Sequence, residues 1–106
     1  MYKYALEILK ALPEDKQFLI DGRYYDEKTG ENCAIGAILN LKKDYEDTSV
    51  GELPQELQDQ LAAKGITIWE ARHIQSINDQ RCDPEEITSK ERYNSVMFFL
   101  ENKKEE

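Results

Sequence analysis

The sequence predicts an all-α fold: a compact bundle of about five helices with one loop or short hairpin inserted at residues 22–32. Three observations carry that prediction. Apolar residues recur at helical spacing in successive segments, capping and stop residues punctuate those segments, and 106 residues suffice for one core. A chain of this size buries about two-thirds of the surface its unfolded form exposes, so neither disulfides nor metals are required. One domain is expected over residues 1–102, with 103–106 as a frayed tail.

The first helix is read over Tyr2 to Leu12, with apolar residues at 2, 5, 6, 9 and 12 and with Lys3, Glu7 and Lys10 opposite. Pro13 stops it. Pro13-Glu14-Asp15 begins a new turn that carries Phe18, Leu19 and Ile20 into the core. From Gly22 to Asn32 the chain is polar, without helical period and punctuated by Gly30, hence the loop or hairpin. Asn32 is the expected N-cap of a helix from Cys33 to Leu41 that has almost no polar face, which makes it a central one. Gly36 beside Ala34 and Ala37 predicts another helix crossing closely there.

Asp44 to Leu53 lacks any period and reads as a loop. Pro54 opens the next helix, Leu57 and Leu61 face inward, and Gly65 caps its end. Thr67-Ile68-Trp69-Glu70 is a capping box. It starts a helix running to Asp79 in which Ile74 and Ile77 face inward, joined by Ala71 and flanked by Trp69. The last helix begins by Ser89 and ends at Asn102, its core stripe being Tyr93, Val96, Met97 and Leu100, extended by Phe98 and Phe99.

Composition excludes several functions. With 14 Lys+Arg against 22 Asp+Glu the formal charge is −8, the sign of DNA itself, so direct nucleic-acid binding through phosphate neutralisation is not expected. The longest apolar stretches, Cys33 to Leu39 and Val96 to Leu100, are far short of the roughly 20 residues that span a bilayer. Two cysteines and an opening without a signal-type apolar core point to a reducing cytoplasm.

Candidate chemistry is sparse. Cys33 lies in an apolar run that keeps a thiol protonated, whereas Cys82 beside Arg81 has the more polar setting. The single histidine, His73, shares a helix side with Trp69 and Ile77 and has Glu70 as a partner, so a half-buried histidine bonded within its own helix is expected. A small thiol-dependent enzyme would combine Cys33 or Cys82 with His73, oriented by Asp79 or Asn78. No nucleophile signature surrounds either cysteine, no zinc-type spacing joins Cys33, His73 and Cys82, and Asn78 to Asp83 lacks the glycine and glutamate of a calcium loop. Catalytic residues, cofactor and metal are therefore all assigned as none.

The charge is local. Residues 21–60 hold ten acids and four bases, net −6, collected in Gly22 to Asn32 and Asp44 to Gly51, which also carry tyrosines. Aromatic anchors among steering carboxylates suit a basic partner. The expected binding surface is Tyr24, Tyr25, Asp26, Glu27, Glu31, Asp44, Tyr45, Glu46 and Asp47.

Asn32-Cys33-Ala34-Ile35-Gly36-Ala37-Ile38-Leu39, followed by Ile77-Asn78-Asp79 and then Arg92 with Val96 and Leu100, resembles a pattern in small uncharacterised phage and prophage proteins. There the text is Cys-Ala-x-Gly-Ala-Leu, a variable middle, Leu-Asn-Asp and a closing helix; Ile38 replaces the usual leucine. The resemblance covers residues 17–100 and implies a compact helical domain of mobile-element origin, not an activity. Small acidic proteins of that class are often inhibitors of host defence, anti-CRISPR proteins among them. The leading expectation is thus a non-catalytic inhibitor in the host cytoplasm that binds a host defence protein with a basic, nucleic-acid-binding surface. The alternatives are the thiol enzyme and an antitoxin or regulatory subunit. Asn78 and Asp79 are expected to satisfy backbone groups at a helix end and loop, the alternative being that they line a functional pocket.

Overall fold

The helical stripes and stop signals become five α-helices in a computed structural model, which describes residues 2–20, 23–45, 53–79 and 88–103. They are α1 (Lys3–Lys10), α2 (Ala34–Leu39), α3 (Gln55–Ala63), α4 (Ile68–Asn78) and α5 (Ser89–Lys103), with short 3-10 turns at Glu14–Lys16 and Lys43–Tyr45. Residues 25–32 form the hairpin rather than the open loop, so the chain is mostly helical but not purely all-α. Strand β1 (Tyr25–Asp26) pairs antiparallel with β2 (Glu31–Asn32), Tyr25 opposite Asn32 and Asp26 opposite Glu31.

One cluster of buried side chains joins the helices. Ala5, Leu6 and Leu9 of α1, Leu57 and Leu61 of α3, Ala71 and Ile74 of α4, and Val96 and Leu100 of α5 share one core with the buried residues of α2. The central place expected for α2 is observed, since α1, α4 and β2 all pack on it. Each burial of such an aliphatic side chain contributes about 2 kcal/mol, and the stripes at i, i+3 and i+4 are what deliver them to one side.

Caps decide where elements begin and end. The Thr67–Glu70 box is formed in full, Glu70 N donating to Thr67 Oγ1 at 3.1 Å and Thr67 N to Glu70 Oε1 at 3.4 Å. Thr88 and Glu91 form a second box at the start of α5, with both backbone amides bonded to the other's side chain at 3.2 and 3.1 Å. Gly65 ends α3 in a Schellman arrangement: its amide and that of Ile66 reach back to Ala62 and Leu61.

Three expectations fail locally. Of Phe18, Leu19 and Ile20 only Leu19 is fully buried, because these residues follow the 3-10 turn in a non-helical stretch where Leu19 bridges to Asn32 and its neighbours on either side turn outward. Phe98 is 72% exposed rather than part of the core stripe. Each step along a helix rotates the side chain by roughly 100°, so Phe98 points directly away when Val96 and Leu100 point in. Lys103 is still helical, one residue beyond the expected end.

Candidate functional site: an acidic face beside a polar hub

The central helix explains much of the site's geometry. Cys33, not Asn32, is the N-cap of α2, its sulfur accepting from the Gly36 amide at 3.4 Å. Burial pushes the Cys33 thiol from 9.0 up to about 12, so it is protonated and unreactive at neutral pH. Asn32 is displaced from the cap because its side-chain amide bridges two carbonyls, Tyr24 O at 2.9 Å and Leu41 O at 2.8 Å. That bridge draws the 23–25 backbone over α2. A β-carbon on Gly36 would lie 2.1 Å from the Tyr24 carbonyl oxygen, so the close approach is made by the hairpin strand and not by a crossing helix.

Asn78 stands at the other end of this arrangement, fully buried. Its Oδ1 accepts from the Ala34 amide at 2.9 Å, and its Nδ2 donates to Ile20 O at 2.8 Å. Its own backbone carbonyl accepts from the Arg92 guanidinium, also buried. Asn78 thus caps the start of α2 and fastens the loop before the hairpin, which is the backbone-satisfying role expected of it. Asp79 accepts from Gln75 Nε2 at 3.0 Å and from Asn78 Nδ2 at 3.1 Å.

His73 bonds across to another element rather than within its helix. Its Nδ1 lies 2.6 Å from the Tyr2 hydroxyl, the Tyr2 ring meets Phe99 edge-on at 5.3 Å, and the Tyr2 amide donates to Glu70 Oε2 at 2.9 Å. Glu70 is buried and engaged by the cap and by Tyr2, so it is not the partner of His73. Among the described residues no group of three or more His, Cys, Asp or Glu is placed to hold a metal ion. Cys82 lies outside the described residues.

The structure treats the nine expected surface residues unequally. Strand β1 packs against the Lys43–Tyr45 turn, so the described parts of the two acidic segments are neighbours. Tyr25 and Asp26 are half-buried there, and Glu27 and Asp44 are exposed. Tyr24 is 1% exposed and belongs to the core, a correction to its placement among the binding residues. Tyr24 lies in the bend just before β1, where its side chain turns into the core while Tyr25, the first residue of the strand, stays half-buried. Asp26 serves the turn, accepting from the Lys28 amide at 3.0 Å and the Thr29 hydroxyl at 3.4 Å, while Gly30, at φ +72, donates to Asp26 O at 2.7 Å. Glu31 accepts from Ser89 Oγ at 3.2 Å. Tyr45 is half-buried against α3, and its phenol is pushed above its ordinary value by desolvation, then by the hydrogen bond to Glu56 and the charges of Glu56 and Asp44. Glu46 and Asp47 lie outside the described residues.

Beside this face runs a groove of about 320 Å³, which sequence reasoning missed. Leu12, Pro13, Phe18 and Ala37 supply apolar wall, and Asp15, Lys16, Glu31 and Lys42 supply charge. Its walls come from three separate stretches, so no local pattern announces it; the one clue is Phe18, an aromatic just after the Glu14–Lys16 turn, which is 36% exposed. No family model matches the chain, and no curated protein or solved structure matches it either. No helix among the described residues is long and apolar enough to cross a membrane.

Proposed function

We propose that the protein is a non-catalytic binding protein whose acidic face docks on a basic, nucleic-acid-binding surface of a host protein and blocks it, as a phage-type or anti-CRISPR-type inhibitor would. One observation supports this reading: β1 packs against the Lys43–Tyr45 turn, which brings Asp26 and Asp44, one from each of the two acid-bearing segments, onto neighbouring stretches of chain. Carboxylates gathered on one face add their fields and steer a cationic partner, while the adjoining groove can take one of its side chains. Tyr25 and Tyr45 are held by their surroundings, so little rotamer entropy is lost when a partner covers them. The protonated Cys33 weighs against the thiol-enzyme alternative.

The test is a binding titration. A host protein captured at low salt is titrated with the wild-type chain and with the variant Asp26→Asn, Glu27→Gln, Asp44→Asn, Glu46→Gln, Asp47→Asn. We expect slower association, a shallower salt dependence, and restored nucleic-acid binding by the partner. Equal association rates for the two chains would overturn the assignment.

A further inference from the structure

The groove between the Glu14–Lys16 turn, the hairpin and the end of α2 has a chemistry that the acidic face does not use. Four of its lining residues are charged: Asp15 and Lys16 from the turn, Glu31 from β2, and Lys42 from beyond α2. Acids and bases therefore balance there, in a chain of net charge −8. Two acceptors are held in place. Glu31 Oε1 takes the Ser89 hydroxyl at 3.2 Å, which fixes the carboxylate against the start of α5. Asn32 spends its side-chain N–H donors on Tyr24 O and Leu41 O, which sets the orientation of the amide and leaves Oδ1 without a partner among the described residues. Lys16 and Lys42 are exposed, with no hydrogen bond or ion pair to their ammonium groups among the described residues.

We propose that this groove is a binding site for a free amino acid with a large apolar side chain. The charge pattern selects that ligand. A purely cationic group meets Lys16 and Lys42, and a purely anionic one meets Asp15 and Glu31, whereas a zwitterion brings both signs. A peptide end supplies only one of the two charges. The ammonium group of a free amino acid offers three N–H donors to Glu31 and to Asn32 Oδ1, which are neighbours on β2, and the stems of Lys16 and Lys42 are free to turn to its carboxylate. Leu12, Pro13, Phe18 and Ala37 form the wall for the side chain, and the Phe18 ring suits an aromatic one. The size agrees, since about 320 Å³ lies at the lower end of the roughly 300 to 1,000 Å³ of small-molecule sites.

Titration of the full chain with L-phenylalanine at about pH 6, where the amine and carboxylate of every probe are charged, tests this by amide NMR shifts and calorimetry. Saturable shifts centred on residues 12–18, 29–32 and 37–42 are expected, with a Kd of about 0.1 to 1 mM for a ligand of this size. Phenylalaninamide lacks the negative charge and N-acetyl-phenylalanine the positive one, so each should bind about 10-fold or more weakly. Glycine, without the apolar side chain, should not saturate at roughly 20 mM. The double variant Lys16→Gln, Lys42→Gln should weaken phenylalanine about 10-fold and phenylalaninamide not at all. Glu31→Gln keeps an acceptor for Ser89, and it should weaken phenylalanine while sparing N-acetyl-phenylalanine. Absence of a saturable shift with phenylalanine up to roughly 20 mM would overturn the proposal. So would a blocked analogue or glycine that binds as tightly as phenylalanine, shifts centred away from the groove, or variants that weaken all the ligands alike. No host protein enters the titration, so its outcome is separate from that of the inhibitor reading.

Discussion

The hub at Asn78 and the acidic face are built from the same polar atoms, placed in opposite surroundings. At the hub one side-chain amide binds Ala34 and Ile20 with no access to water, and on the acidic face Glu27 and Asp44 are exposed. A buried polar group left unsatisfied costs the full desolvation penalty, whereas an exposed one has water as a substitute. Stability should therefore depend steeply on the first region and hardly at all on the second. Association should show the reverse.

The largest effect is expected at the hub. Asn78→Ala strands the Ala34 amide and the Ile20 carbonyl, at a cost of about 3 to 5 kcal/mol, read as the drop in urea midpoint. Asn78→Asp keeps the acceptor for Ala34 but loses the donor to Ile20 and sets a second carboxylate beside Asp79, so it should not restore stability. A wild-type midpoint in Asn78→Ala would remove the contrast altogether.

Gly36→Ala comes next. It gains about 1 kcal/mol of helix propensity, yet its β-carbon would meet the Tyr24 carbonyl, and displacing that strand should cost about 2 to 3 kcal/mol. Net destabilisation in thermal unfolding is the expected reading. Stabilisation would mean that the hairpin yields freely.

A graded effect is set by pH. Burial raises the Cys33 thiol from 9.0 to about 12, and the phenols of Tyr45 and Tyr93 are raised too, by desolvation first in each case. These groups are neutral in the fold and ionise more readily in the unfolded chain. Their contribution is present in full below pH 9 and is lost as pH rises toward 12, with Cys33 alone giving a slope approaching about 1.4 kcal/mol per pH unit. Denaturant titrations at stepped alkaline pH should show that slope, and Cys33→Ala should flatten it. Least of all, the five-amide variant of the acidic face should shift stability by no more than about 1 kcal/mol in total, since the side-chain oxygen of Asp26→Asn can still accept from the Lys28 amide. A larger loss would show that those carboxylates support the fold rather than a partner.

Local chemistry was legible in the sequence and distant pairing was not. The Thr67–Glu70 box, the Gly65 stop and the inward Leu57 and Leu61 depend on residues three or four apart, which spacing alone reveals. Asn32 looked like an N-cap because its type and position were right, yet two carbonyls, Tyr24 O and Leu41 O, claim its amide across the fold. His73 was given Glu70 as its partner by helical spacing, but Tyr2 approaches it from a different element. Tyr24 and Tyr25 illustrate the same limit on the candidate site. Composition made them equals, and the bend before β1 turns one into the core while the other stays half-buried on the face. The acid content of the two segments was readable, whereas their adjacency arises only when β1 settles on the Lys43–Tyr45 turn.

The Asn78 amide also bears on the order in which the chain assembles. Its bonds to Ala34 and Ile20 span 44 and 58 positions, so neither can form until large loops have closed. Local helices can flicker in and out beforehand without it. The Ala34 amide then has no partial opening that frees it, and its hydrogen should exchange with solvent only when the whole molecule unfolds. That single proton is a reporter of complete closure, and its exchange rate would measure the global unfolding free energy of the chain.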